Sequence, residues 1–152
     1  MKFENKVNIL NRKARFNYEL MDKYEAGLVL HGTEIKSIRL GKASIAESFC
    51  QFINDELYVI NMSVDEYFFG TRYNHLIKRE RKLLLQKKEI NKLLRKTKET
   101  GLTIVPTRLY VNEKGWAKIQ IYLAKGKKIY DKRETIKERE TKRNISRLVK
   151  KY

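Results

Sequence analysis

Trp116-Ala117-Lys118-Ile119-Gln120-Ile121-Tyr122-Leu123 is the stretch on which the fold reading turns. Trp116, Lys118, Gln120 and Tyr122 fall on one side, and Ala117, Ile119, Ile121 and Leu123 on the other. That period of two belongs to a strand with one buried face. Just upstream, Asn112-Glu113-Lys114-Gly115 reads as a turn. Residues 102–106 and 108–111 read as strands flanking the only proline, Pro106. Further back, residues 44–53 and 56–64 form a predicted β-hairpin, because Asn54-Asp55 between them tolerates positive φ. β character returns at 16–20 and 24–30, broken around Asp22-Lys23, with Gly27 marking a bulge or a close backbone approach.

Helical signals are fewer. Residues 33–41 predict a short helix with Thr33 as N-cap, Ile35 and Ile38 buried, and Gly41 just past its end. Residues 74–100 read as helical, in one piece or two, with a break at Leu85-Gln86-Lys87 and a stop at Gly101. Tyr67, Phe68 and Phe69 read as a loop whose rings partly cover the core. Residues 1–10 read as a loose segment from which Val7, Ile9 and Leu10 can dock. About six short strands, each with one apolar side, avoid open edges by closing into a barrel. The expected fold is therefore mainly β: a small closed barrel of the oligonucleotide-binding type with peripheral helices, spanning 11–125. An open α+β sandwich is the alternative.

Charge points to the partner. The chain of 152 residues carries 35 Lys and Arg against 18 Asp and Glu, a net +17. Such an excess favours phosphate-bearing partners. From Lys125 to the end there are 12 basic and 4 acidic residues, a net +8, with too few large apolar residues for a core. Asp131 to Glu134 fits a capping box, and Glu138 with Lys142 is a helical i,i+4 pair worth only ~0.2–0.5 kcal/mol. Ordering costs ~1–2 kcal/mol per residue. This basic tail, 126–152, is therefore expected to be unstructured when free and helical against a polyanion.

Other chemistries find little footing. A single cysteine, Cys50, allows no internal disulfide and reads as a small buried hydrophobe. His31 and His75 lack ligand spacing, so no metal site and no cofactor is expected. No run approaches ~18 apolar residues, so no membrane partner is expected, and the protein reads as a cytoplasmic monomer. Gly41-Lys42 and Gly126-Lys127-Lys128 lack the rest of a phosphate loop. No catalytic residue is assigned. A metal-dependent nuclease using Asp131, Glu134 and Glu138 is an alternative, although salt pairing along a helix explains those carboxylates. Basic residues do interleave with aromatics: Arg12, Lys13 and Arg15 with Phe16 and Tyr18, Arg72 with Tyr73, and Lys127-Lys128 with Tyr130. Rings beside cations suit RNA, through stacking and phosphate contact. For Phe16 and Tyr18, core packing serves equally well.

A family resemblance sharpens this. Asn11-Arg12-Lys13-Ala14-Arg15, Tyr24-Glu25-Ala26-Gly27-Leu28-Val29-Leu30, and Gly32-Thr33-Glu34-Ile35-Lys36-Ser37-Ile38-Arg39-Leu40-Gly41-Lys42-Ala43 come in the order seen in one family. Arg81-Lys82-Leu83-Leu84-Leu85, Gly101-Leu102-Thr103-Ile104-Val105-Pro106, and Ala124-Lys125-Gly126-Lys127-Lys128 followed by Asp131-Lys132-Arg133 continue the match. The chain resembles the SsrA-binding proteins (small protein B) over about 11–139. The resemblance implies a factor that binds the tRNA-like domain of tmRNA and delivers it to stalled ribosomes for trans-translation. In that role the tail occupies the decoding centre and the empty mRNA channel of the small subunit. It also implies tmRNA contacts at Asn11, Glu25, Leu84 and Lys118, with Gly27 beside them and the cations Arg12, Lys13 and Arg15 nearby. On the ribosome it implies roles for Gly126 at the junction, for Lys127, Lys128, Asp131, Lys132 and Arg133, and for Tyr130 as a stacking ring. Two departures stand out: residues 74–80 lack the proline common there, and Ser44 replaces a frequent Asn. A general single-strand RNA-binding or ribosome-associated barrel protein is the competing reading.

Overall fold

The computed structural model describes residues 6–70, 74–99 and 101–127. Within them the chain is mainly β. In order, the elements are β1 (Asn8–Leu10), α1 (Arg12–Asn17), β2 (Tyr18–Leu28), α2 (Gly32–Arg39), β3 (Ala43–Ser44), β4 (Phe49–Ile53) and β5 (Glu56–Ile60). β6 (Ser63–Val64), β7 (Arg81–Leu84), α3 (Lys87–Lys96), β8 (Leu102–Val111) and β9 (Ala117–Gly126) complete them. Seven strands form one antiparallel sheet in the order β1-β8-β4-β5-β7-β2-β9, and β9 also pairs with β8. β3 and β6 form a two-stranded pair apart.

β9 keeps the predicted alternation: Ala117, Ile119, Ile121 and Leu123 are buried, and Trp116, Lys118, Gln120 and Tyr122 are not. It runs between β2 and β8 along nearly its whole length. Its inward residues meet Leu57, Val59, Leu83, Ile104 and Leu109 in the main core. The β4–β5 hairpin turns at Asn54 (φ 51°) and Asp55 (φ 63°), as their tolerance of positive φ allows. Cys50 is buried on β4, and burial pushes its thiol pKa up. The break foreseen at Asp22-Lys23 is a register shift between Leu20 and Lys23. β2 nevertheless runs on unbroken through Gly27.

Several expectations need correction. Residues 12–17 form a helix, so Phe16 and Asn17, read as the start of a strand, lie on α1. The reason is tertiary. The Asn11 Oδ1 accepts from the Ala14 N–H (3.3 Å), its Nδ2 donates to the Pro106 carbonyl (2.9 Å), and its own N–H donates to Thr107 (2.9 Å). Residues 8–10, read as part of a loose segment, pair with β8 instead. The helix at 32–39 starts at Gly32, not after a Thr33 cap, and the Glu34 carboxylate accepts from the His31 N–H (2.8 Å). The largest difference lies in 74–100, where the first half is not helical: residues 74–80 are irregular and Arg81–Leu84 is a strand. The expected break is real, because α3 begins at Lys87. Phe68 and Phe69 do not cover the core; they are exposed.

Candidate nucleic-acid interface

β2 lies between β7 and β9, and the register sets one row of side chains across the sheet's outer face. Asn8 pairs with Tyr110, Tyr110 with Lys118, Lys118 with Gly27, and Gly27 with Leu84. This row crosses five strands, about 19 Å at ~4.8 Å per strand. A second row, two residues along, runs Leu10, Arg108, Gln120 and Glu25. Glu25, Gly27, Leu84 and Lys118, far apart in sequence, are thus brought into one patch.

Inside the patch the chemistry is mixed. Leu84 is 51% exposed and supplies an apolar spot. Gly27 leaves a shallow floor between Leu84 and Lys118: a Cβ there would lie 3.4 Å from the Leu84 Cβ and 3.8 Å from the Lys118 Nζ. Gln120 Nε2 donates to Glu25 Oε1 (3.1 Å), which holds the carboxylate beside the row. Tyr110 carries the Arg108 guanidinium over its ring at 4.3 Å. Partial burial, then the Glu25 charge and hydrogen bond, raise its phenol above the ordinary value. Beyond Gly27 a groove of about 430 Å³ opens between this sheet end and α2, lined by Leu30, Ile35, Arg39, Leu84, Trp116 and Lys118 among others. Trp116 is 64% exposed at its mouth, with Lys114 Nζ 6.0 Å from its ring.

The remaining body residues sit elsewhere. Asn11 is buried and caps α1, so its observed work is to fasten that helix to β8. Arg12, Lys13 and Arg15 are exposed on α1, and Lys13 pairs with Glu47. Gly126 pairs with Tyr18 at the far end of the β2–β9 ladder, and the Lys127 N–H donates to the Asn17 carbonyl (2.9 Å). The junction therefore leaves the body beside α1, eight residues along β9 from Lys118, or about 25–30 Å. Lys128, Tyr130, Asp131, Lys132 and Arg133 lie outside the described residues. Arg108, Tyr110, Gln120 and Trp116 were not singled out from sequence as site residues. Their signal was there: Arg108 and Tyr110 alternate on β8 opposite Gln120 and Lys118 on β9.

The arrangement is that of a mainly-β protein whose outer sheet face gathers Arg108, Tyr110 and Lys118 beside an adjoining groove. The chain belongs to the SmpB protein family, whose model matches residues 8–151. The SsrA-binding protein of Christiangramia forsetii is 60% identical over 149 residues, covering 98% of this chain and 95% of its own. That of Flavobacterium psychrophilum is 61% identical over 146 residues, 96% of this chain and 97% of its own. A solved chain from "tmRNA-SmpB: a journey to the center of the bacterial ribosome" superposes with a TM-score of 0.69 at 44% identity, covering 86% of this chain and 94% of that one.

Proposed function

We propose that this protein binds the tRNA-like domain of tmRNA through the outer face of β2, β7, β8 and β9 and delivers it to stalled ribosomes for trans-translation. The observation that carries this is the convergence of Glu25, Gly27, Leu84 and Lys118 on one face, in a chain 44% identical to one solved in work on tmRNA-SmpB and the ribosome. A concave tRNA-like fold is recognised by shape, phosphates and stacking, and this face offers a cation, a shallow floor and open rings. The pairings β8-β4-β5-β7-β2-β9 return to β8, which supports a closed barrel of the oligonucleotide-binding type over residues 11–125. The segment 126–152 is a separate ribosomal arm. Its cations enter the decoding centre and the empty mRNA channel, with Tyr130 stacking on a base and Asp131, Lys132 and Arg133 setting the helix start. The protein works in the cytoplasm as a binding factor, without catalysis of its own.

The decisive measurement is affinity at one fixed salt for the tmRNA tRNA-like domain, an elongator tRNA and an unstructured oligonucleotide. Tightest binding is expected to the tRNA-like domain. Equal affinity for all three would overturn this reading in favour of a general RNA-binding barrel.

A further inference from the structure

Phe68 and Phe69 are 82% and 75% exposed, side by side in the connection between β6 and β7. Their rings meet edge to face at 5.1 Å, and Phe69 meets Tyr67 at 5.8 Å in the same manner. Hydrogen bonds hold the described part of that connection at Tyr67. Asn74 clasps it, its Nδ2 donating to the Tyr67 carbonyl (2.9 Å) and its Oδ1 accepting from the Tyr67 N–H (3.2 Å). Gly70 closes the turn beneath, where an added Cβ would lie 2.6 Å from the Asn74 Nδ2. Below that, His75 is buried between Thr33 and Val64, and the fully buried Arg81 holds the Met62 and Ile77 carbonyls. Two phenylalanines facing solvent there bring nothing to the core.

The surroundings indicate the occupant. Lys36 Nζ lies 5.5 Å from the Tyr67 ring, and Lys42 lines the recess beside Phe68. A second recess, walled by His31, Gly32, Lys36, Asn74, Leu76 and Arg79, connects the loop to α2. His31 and Gly32 also line the groove that holds Leu84, Lys118 and Gly27. The surface is therefore continuous from the tmRNA face, around α2, to the aromatic loop. Asp65 and Glu66 line the recess beside Phe68 and repel phosphates, so the backbone of a bound strand belongs on the Lys36 side, with bases towards the rings. Open aromatic faces beside cations are the pairing that single-stranded RNA uses.

We infer that the turn at 65–70 is a second tmRNA-contact element, in which Phe68 and Phe69 stack on unpaired bases next to the tRNA-like fold while Lys36 takes a neighbouring phosphate. This rests on the tmRNA reading above. The test compares full-length protein with the double variants Phe68→Leu/Phe69→Leu and Phe68→Tyr/Phe69→Tyr, in binding to tmRNA at fixed salt and in thermal melting. Leucine keeps the apolar character and removes the ring; tyrosine keeps the ring. The leucine pair should bind roughly tenfold more weakly with unchanged melting, and the tyrosine pair as wild type. Wild-type affinity in the leucine pair, or equal loss in both pairs, overturns the inference. So does unchanged tmRNA affinity with lost ribosome association, which would mark the loop as a ribosomal contact. Leu84→Ala and Lys118→Ala run alongside: if they too leave affinity intact, the tmRNA face itself is wrong, and the two failures are told apart.

Discussion

Gly27 owes its place to space and not to backbone conformation. Its φ lies outside the left-handed region, and a Cβ would make ordinary contacts with Leu84 and Lys118. Gly27→Ala should therefore fold and melt like the wild type. On the tmRNA face, however, the added methyl raises the floor that the RNA approaches, so affinity should drop severalfold. Parallel melting and filter-binding measurements separate the two effects; unchanged affinity would place the RNA away from β2. Asn11 teaches the opposite lesson. A motif position associated with RNA contact turns out to be buried, with every hydrogen bond it makes here going to the protein's own backbone. On the proposed reading its contribution to RNA binding would run through the placement of Arg12, Lys13 and Arg15. Leu84 was legible as a site residue through the motif, whereas its exposure could not be read from Arg81-Lys82-Leu83-Leu84, where both leucines look equally buried.

At the scale of elements, β7 shows why part of the fold stayed hidden. A strand beginning with an inward-pointing arginine breaks the apolar alternation, and among the lysines and leucines of 74–100 a helix pattern fits just as well. What makes the strand possible is α2, which supplies Glu34. Arg81 and Arg79 both pair with that carboxylate, the latter at 2.6 Å. Burial alone would raise the Glu34 carboxyl, but hydrogen bonds from Arg79 and the His31 N–H, with the Arg81 charge, hold it below its ordinary value. A carboxyl lowered in the folded state stabilises fully above the unfolded value near 4.5, and that contribution is lost as pH falls through the folded value. Glu34→Gln leaves Arg81 buried without its counter-charge and should cost about 3–5 kcal/mol at neutral pH. The gap between the two proteins should narrow on acidification, as read from denaturant melts across the acid range; a gap that does not change with pH would remove Glu34 from the acid transition. The elements that were legible, β9, the Asn54-Asp55 hairpin and the Gly41 stop, are those specified by local period or by positive φ, whereas α3 ends at Lys96, short of the stop read at Gly101. Those that were not, α1, β1 and β7, depend on partners distant in sequence.

For the whole molecule, the division between tmRNA face and ribosomal arm predicts separable losses. Removing 126–152 should leave most tmRNA affinity in place and abolish peptide tagging on stalled ribosomes, measured by filter binding and a tagging assay. Loss of tmRNA affinity on truncation would instead make the arm part of the RNA site. Removing the arm also takes away a net +7 of the +17, so the comparison belongs at matched salt, where screening is held constant. The β2–β9 ladder gives this division a dimension. Tyr18 pairs with Gly126 at one end and Gly27 with Lys118 at the other, so on the proposed reading the ladder would work as a caliper with tmRNA in one jaw and the root of the arm in the other. The 25 residues beyond Lys127 would add about 38 Å as one helix. Two strands hydrogen-bonded to each other hardly stretch. On the proposed reading, strand length would set how far the arm's root stands from bound tmRNA, and inserting one pleat in both strands would shift the arm's starting point by about 7 Å.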